Sequence, residues 1–203
     1  MHHIQEVLLQ GLPARSVELT KEQKLLMKNF QLLTAKPMIY VANISESDIT
    51  NPENNKQYCA LKEQAAKEGC AIIPVCANIE ADVAMIEDPE EREIFLEEFG
   101  IKESGLDKLI KTAYDILGLQ TFLTGGQDEC RAWTFKKGMT APQCAGVIHT
   151  DFERGFIKAE VYHYDDIHQY RTEQAIKEAG KYRIEGKDYT MKDGDVVFFR
   201  FNV

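Results

Sequence analysis

No run of about eighteen apolar residues occurs in this 203-residue chain, which excludes a spanning helix of ordinary length. The opening stretch MHHIQEVLLQGLPARS lacks the charged-then-apolar-then-small order of a secretory signal. Cysteine is scarce, and Cys59, Cys70, Cys76, Cys130 and Cys144 never form a C-x-x-C pair. That spacing argues against a zinc site and for reduced thiols in a cytoplasmic protein. Also missing is the G-x-x-x-x-G-K-[ST] loop, whose backbone N–H groups and lysine cradle phosphates while its hydroxyl holds magnesium. The only Gly-Lys pairs are Gly180-Lys181 and Gly186-Lys187; neither is followed by Ser or Thr, and neither has a glycine five positions earlier. Asp115-Ile116-Leu117-Gly118 matches a D-x-x-G switch motif on paper, but at the end of a helical pattern it reads as a C-cap. No internal repeat or low-complexity tract is present.

Positive charge is the other shortage. The net charge is −9, unevenly spread: residues 119–203 hold 12 Lys and Arg against 13 Asp and Glu, and residues 1–118 hold 12 against 20. A chain this acidic is a poor general nucleic-acid binder, and no DNA partner is expected. What is present is ordinary for a folded protein, 44% hydrophobic and 28% charged residues, enough for a packed core.

Thr20 to Ala35 reads as a helix opened by a Thr20/Gln23 capping box, with Leu25, Leu26, Phe30 and Leu33 at helical spacing. Pro37–Ala42 reads as a strand buried on both faces, Asn43–Asn55 as a loop, and Glu53–Glu68 as a helix stopped by Gly69. Cys70–Ala77 is a second strand, and Pro74 within it points to an edge or a bulge. Strand, helix and strand at this spacing form a βαβ unit with parallel strands. Helices follow at Asp88–Phe99, capped by Asp88 with Pro89 in its first turn, and at Ser104–Leu117.

After Gly118 the pattern changes from helical to alternating, which marks a domain boundary. Gln120–Thr124 and Cys130–Phe135 pair as a hairpin through Gly125-Gly126-Gln127-Asp128. A short helix near Pro142–Ile148, a strand at Phe156–His163, a helix at Thr172–Ala179 and strands at Tyr182–Ile184 and Val196–Phe201 complete about 85 residues. A β-grasp module is the economical assembly of these pieces.

Two sets of residues carry candidate chemistry. Asn43-Ile44-Ser45-Glu46 follows the carboxyl end of the first strand, where open α/β sheets bind ligands. An amide offers a purine edge both a donor and an acceptor, and a carboxylate accepts from base N–H groups. Cys76-Ala77 ends the second strand at the same edge, so the two loops should converge. A plain polar loop remains the alternative. The second set is basic: Arg131, Lys136, Lys137, Arg154 and Lys158 give a near-neutral half a face for RNA, or are scattered solubilising charges. Trp133 and Phe135, at alternating spacing, face the core together or stack on RNA bases. His149-Thr150-Asp151 lacks a nucleophile and reads as a cap or turn.

RAWTFKKGMTAPQCAGVIHTDFERGFIKAEV resembles the TGS domain of the YchF (Obg-like ATPase) family of P-loop NTPases, and KYRIEGKDYTMKDGDVVFFRFNV resembles that family's closing segment. Upstream, YVANISE and IPVCANIE are similar to its base-recognition loops. The resemblance implies an α/β chain: residues 1–36 as the tail of a helical domain, 37–118 as the C-terminal part of a parallel-sheet G domain, and 119–203 as a β-grasp TGS domain. In most related GTPases the base loop reads N-K-x-D, and its Asp takes two guanine donors. Asn43-Ile44-Ser45-Glu46 matches the N-x-x-E variant, which implies a preference for ATP over GTP, with Mg²⁺ as the cofactor of the whole family protein. Asn43, the Ile44 backbone, Glu46, Cys76 and Ala77 are then the base-binding residues, Cys76 standing where Ser is commoner. The ribosome is the implied partner. Family members carry the phosphate loop ahead of the segment matched here, so hydrolysis by this chain alone is not expected. A free-standing TGS binding module without nucleotide chemistry is the other reading.

Overall fold

A computed structural model describes residues 2–126 and 129–202, and the chain divides into two compact units, Met1–Ile116 and Leu117–Val203. No described helix is long and apolar enough to cross a membrane. The first unit opens with helices α1 (His2–Leu9) and α2 (Lys21–Lys28). The Thr20/Gln23 capping box forms in both directions. The helix expected to reach Ala35 nevertheless ends at Lys28. Leu25, Leu26, Phe30 and Leu33 are all exposed, so their stripe gains nothing by extending, and the chain turns through Gln31 (φ 48°) into a single 3-10 turn at Leu33–Ala35. Arg15 ties this region to residues further along the unit: its guanidinium meets Glu68 Oε2 at 3.1 Å, and Tyr40 donates to the same oxygen at 3.0 Å. These donors, with Gln64 contributing most, hold the Glu68 carboxyl below the usual carboxylate range.

Strand β1 (Ile39–Asn43), helices α3 (Glu46–Ile49) and α4 (Lys56–Glu68), and strand β2 (Ala71–Val75) form the expected βαβ unit. The strands pair in parallel from Ile39↔Ala71 to Asn43↔Val75. Asn55 caps α4 by accepting from the Gln57 and Tyr58 N–H groups, and Gly69, at φ 64°, ends it in the left-handed conformation. Two expectations need correction. The polar stretch 43–55 is not one loop, because it contains α3 and a 3-10 turn at Pro52–Asn54. Nor is β1 buried on both faces: in a sheet of two strands Val41 remains 49% exposed. Helices α5 (Ala77–Met85), α6 (Pro89–Glu98) and α7 (Gly105–Leu117) follow. Cys76, Ile79, Val83, Leu96 and Ile101 make a small core around them.

In the second unit, β3 (Leu119–Gly125) and β4 (Cys130–Lys136) form the expected antiparallel hairpin; Gln127 and Asp128 of its turn lie outside the described residues. Then come α8 (Ala141–Ile148), α9 (Thr150–Arg154), β5 (Phe156–His163), α10 (Tyr164–Tyr170), α11 (Glu173–Glu178), β6 (Arg183–Glu185) and β7 (Asp195–Phe201). The sheet is mixed and open, in the order β4-β3-β7-β5-β6. β7 runs parallel to β3 and antiparallel to β5. One face packs on α8, with Phe122, Phe135, Phe156, Val161 and Phe199 against Ala141, Cys144 and Ala145. Burial of this kind pushes the Cys144 thiol up to about 12, so it stays a protonated, small apolar group. At the sheet's end, backbone crowds backbone: a Cβ on Gly155 would sit 2.1 Å from the Asn202 carbonyl oxygen, so only glycine fits. Asp195 is fully buried and accepts from Tyr189 Oη at 2.7 Å and the Lys192 N–H at 2.9 Å, with Arg183 3.4 Å away.

Candidate functional site

The register of β1 and β2 decides where the two candidate loops go. Asn43 lies opposite Val75 in the last pair of the ladder, so both chains leave the sheet side by side at its carboxyl edge. The Ile44 N–H extends the ladder by one bond to the Val75 carbonyl, at 2.9 Å. Two side-chain bonds then tie the loops. Asn43 Oδ1 accepts from the Ala77 N–H at 3.1 Å, and Asn78 Nδ2 donates to Glu46 Oε1 at 3.3 Å. The result is an open cleft of about 640 Å³ lined by Asn43, Ile44, Ser45, Glu46, Ser47, Cys76, Ala77 and Asn78.

All five residues expected from the sequence therefore line one cleft. Cys76 is buried beneath it, and Ala77 opens α5 at its rim. Ser45, Ser47 and Asn78 join them. Asn78 stands two residues beyond Cys76, but its partner Glu46 is 32 residues away, and no local pattern signals that contact. Just behind the first loop, Asn55 Nδ2 donates to Asp48 Oδ2 at 2.8 Å. Hydrogen bonds from Asn55 and then Ser45 hold the Asp48 carboxyl below its usual value. Glu80, the acid of IPVCANIE, is used elsewhere: its two oxygens accept from the Gly105 and Leu106 N–H groups and cap α7.

The cleft presents an amide and a carboxylate side by side, so it offers both hydrogen-bond donors and acceptors. Beyond the bond from Ala77, Asn43 keeps an amide nitrogen to donate, and both oxygens of the exposed Glu46 can still accept. Among the described residues, no group of three or more His, Cys, Asp or Glu side chains is placed to hold a metal ion.

The five basic candidates are dispersed. Lys136 and Lys137 stand together, exposed, at the end of β4. Arg131 is at the other end of that strand, about 17 Å away at strand rise, lying over the Trp133 ring at 4.3 Å. Arg154 closes α9 at 3.8 Å from Asp151. Lys158 is on β5, separated from β4 by β3 and β7, and pairs with Glu160 at 3.4 Å. A single five-residue face is not formed. Trp133 has little left for a stacked base: one neighbour is Arg131, another is the Phe122 ring at 6.4 Å, and its indole N–H donates to Thr124. His149 is a cap, its Nδ1 accepting from the Asp151 N–H at 3.2 Å.

A family model for the YchF-GTPase C-terminal region, described as a protein of unknown function (DUF933), matches residues 119–202. Across 94% of its length the chain is 56% identical to the ribosome-binding ATPase YchF of Bacillus subtilis, of which that match covers 52%. It is 47% identical to Obg-like ATPase 1 of Xenopus laevis over 87% of its length, or 44% of that protein. The solved structure of the Schizosaccharomyces pombe YchF GTPase superposes with a TM-score of 0.83 at 36% identity, over 98% of this chain and 53% of that one. The chain thus spans about half the length of the curated relatives it matches. Matched over nearly all of its length by proteins of one kind, in sequence and in structure, the chain is homologous to the YchF/Obg-like ATPase family.

Proposed function

We propose that the cleft at the ends of β1 and β2 is the base-recognition half of a YchF-type, adenine-preferring nucleotide site, in a cytoplasmic, ribosome-associated protein. One observation carries this reading: Asn43, Ile44, Glu46, Cys76 and Ala77, chosen from two loops some thirty residues apart, line a single cleft. Residues 37–118 are then the C-terminal part of a G domain, and residues 119–203 a TGS domain. The mixed five-stranded sheet with α8 on one face supports a β-grasp reading of the latter. ATP or GTP with Mg²⁺ is the ligand of the family site. Binding the phosphates and the metal calls for a G-x-x-x-x-G-K-[ST] loop, which these 203 residues do not contain. The chain alone is expected to turn over no ATP. Phosphate release by clean protein that exceeds that of a Glu46→Ala control would overturn this.

The second reading, a TGS module acting on ribosomal or RNA–protein surfaces without nucleotide chemistry, draws on the exposed Lys136-Lys137 turn. Reversing both charges with Lys136→Glu/Lys137→Glu is expected to weaken co-sedimentation with ribosomal subunits severalfold, as lost phosphate contacts do. Equal binding by wild type and variant would remove this turn from the interface.

A further inference from the structure

Two features of the first unit, opposite in charge, match each other. α6 carries Ile94 on its outer side, 60% exposed, while Leu96 is buried against the small core. Glu90, Glu91, Glu97 and Glu98 stand at i−4, i−3, i+3 and i+4 from Ile94, so helical geometry rings this apolar side chain with four carboxylates. All four are exposed, and among the described residues none of their side chains enters an ion pair. Elsewhere in the unit, α2 and the chain on either side of it enclose a hollow with Val17, Leu19, Met27, Leu32 and Ala35 as its apolar lining, all buried or half-buried. The charged lining is wholly basic: Arg15, Lys24, Lys28 and Lys36. Glu18 and Glu22, the nearest acids in sequence, stand outside it, and among the described residues the three lysines make no ion pair. Arg15 pairs with Glu68, yet its Nε–H is buried without an acceptor.

We propose that this hollow docks a second copy of the chain through the outer face of α6: Ile94 of the partner subunit enters the apolar hollow, and the glutamates around it meet Lys24, Lys28 and Lys36. An apolar centre inside a charged rim is the ordinary anatomy of an interface, and opposite signs across the rim set its register. The acidic helix also gains. Glu93 and Glu97, one turn apart, repel each other, and cations brought from outside relieve that repulsion. A second copy is the favoured occupant because the chain itself supplies the complementary helix. About a two-fold axis each α6 fills the other hollow, so the contact is made twice and closes. The net charge of −9 on each copy opposes association only weakly at about 0.1 M salt, where charges more than about 10 Å apart are screened and touching pairs are not. The proposal is independent of the cleft at the ends of β1 and β2.

Sedimentation equilibrium of the whole chain at about 0.1 M salt should show a mass that rises with concentration from 23.1 kDa toward twice that value, and about 0.5 M salt should weaken the association severalfold. Lys24→Glu/Lys28→Glu and, separately, Glu97→Lys/Glu98→Lys should each lower self-association more than about tenfold, because like charges then face each other. All four positions are exposed. Mixed in equal amounts, the two variants should associate far more strongly than either alone, since each hollow again meets an α6 of opposite sign. A misfolded variant could not produce that recovery. Ile94→Ser, which changes no charge, should weaken the wild-type association severalfold. A wild type that stays monomeric at about 0.1 M salt overturns the proposal, even where a synthetic acidic helix shifts the amides of residues 15–37, which would give the hollow to another protein. Association that survives either charge reversal or Ile94→Ser unchanged runs through another surface and overturns it too, as does a mixture of folded variants that fails to recover.

Discussion

The two units spend their apolar residues differently. In residues 117–203, alternation along β4 and β7, and along β5 with a register shift between Phe156 and Lys158, puts Phe135, Phe156, Val161, Val197 and Phe199 on one face, where α8 covers them. Among the described residues, eleven buried side chains form that core; the largest cluster in residues 2–116 has five. The first unit instead leaves Leu25 (66% exposed), Leu26, Val41, Leu106 and Ile110 open, while its polar loops are held in place by Asn43, Asp48, Glu68 and Glu80. Because apolar burial stabilises in proportion to area, the second unit has the larger contiguous core. The candidate ligand chemistry sits on the unit with the smaller one. Fold stability and recognition are therefore separable in this chain and open to independent mutation.

The largest effect should follow from removing the centre of the second core. Phe122 is fully buried, and its ring meets those of Trp133, Phe135 and Phe199. Phe122→Ala is expected to cost about 3–5 kcal/mol, the sum of lost transfer energy and an unfilled cavity. Trp133 is the only tryptophan, so the urea midpoint of its fluorescence reports this unit alone. Leu25→Ala, in the first unit, should change the far-ultraviolet circular dichroism midpoint by less than about 0.5 kcal/mol. Comparable losses in the two variants would break the contrast, because Leu25 would then be packed in solution.

How far the sequence discloses this arrangement depends on whether the signal is local. The β3–β4 hairpin is legible, since alternation and flanking glycines fix its strands and their faces, whereas β5 is legible as a strand but not in its face, because the register shifts between Phe156 and Lys158. Also legible are the caps Thr20, Asp88 and Thr172, each an oxygen acceptor ahead of an apolar run. Among the described residues five helices escape a sequence reading, α1, α3, α5, α9 and α10, and the last three share one reason. α5 follows Cys76, which makes no side-chain cap bond, while α9 and α10 are capped by the Nδ1 atoms of His149 and His163, acceptors outside the usual cap residues. α2 reads too long because periodicity shows a stripe of apolar residues without showing whether anything covers it. At the candidate site, the βαβ topology alone is enough to place Asn43 and Cys76 at one sheet edge. The Glu46–Asn78 bond depends on the register between two strands and on loop geometry, and neither is written in either loop.

The smaller test concerns the second unit's other face, where a charge cluster sits among the Tyr162, Tyr182 and Phe198 rings. Arg200 grips Glu160 with two bonds, Nε to Oε1 at 3.1 Å and Nη2 to Oε2 at 3.3 Å; Tyr182 Oη donates at 2.9 Å and Lys158 stands 3.4 Å away. Led by Arg200, these partners hold the Glu160 carboxyl down at about 2, against burial that opposes them. A carboxyl depressed on folding stabilises the native state above its ordinary value of 4.5, and that stabilisation disappears as the pH falls toward 2. Lys158 and Arg200 are 39% and 52% exposed, so water screens the cluster and the loss should be about 1 kcal/mol, well short of the cost of Phe122→Ala. Glu160→Gln cannot titrate, and its Trp133 unfolding midpoint should fall less steeply between pH 4.5 and 2. Identical slopes in wild type and variant would mean that the cluster contributes nothing, and that the second unit draws its stability from the aromatic face alone.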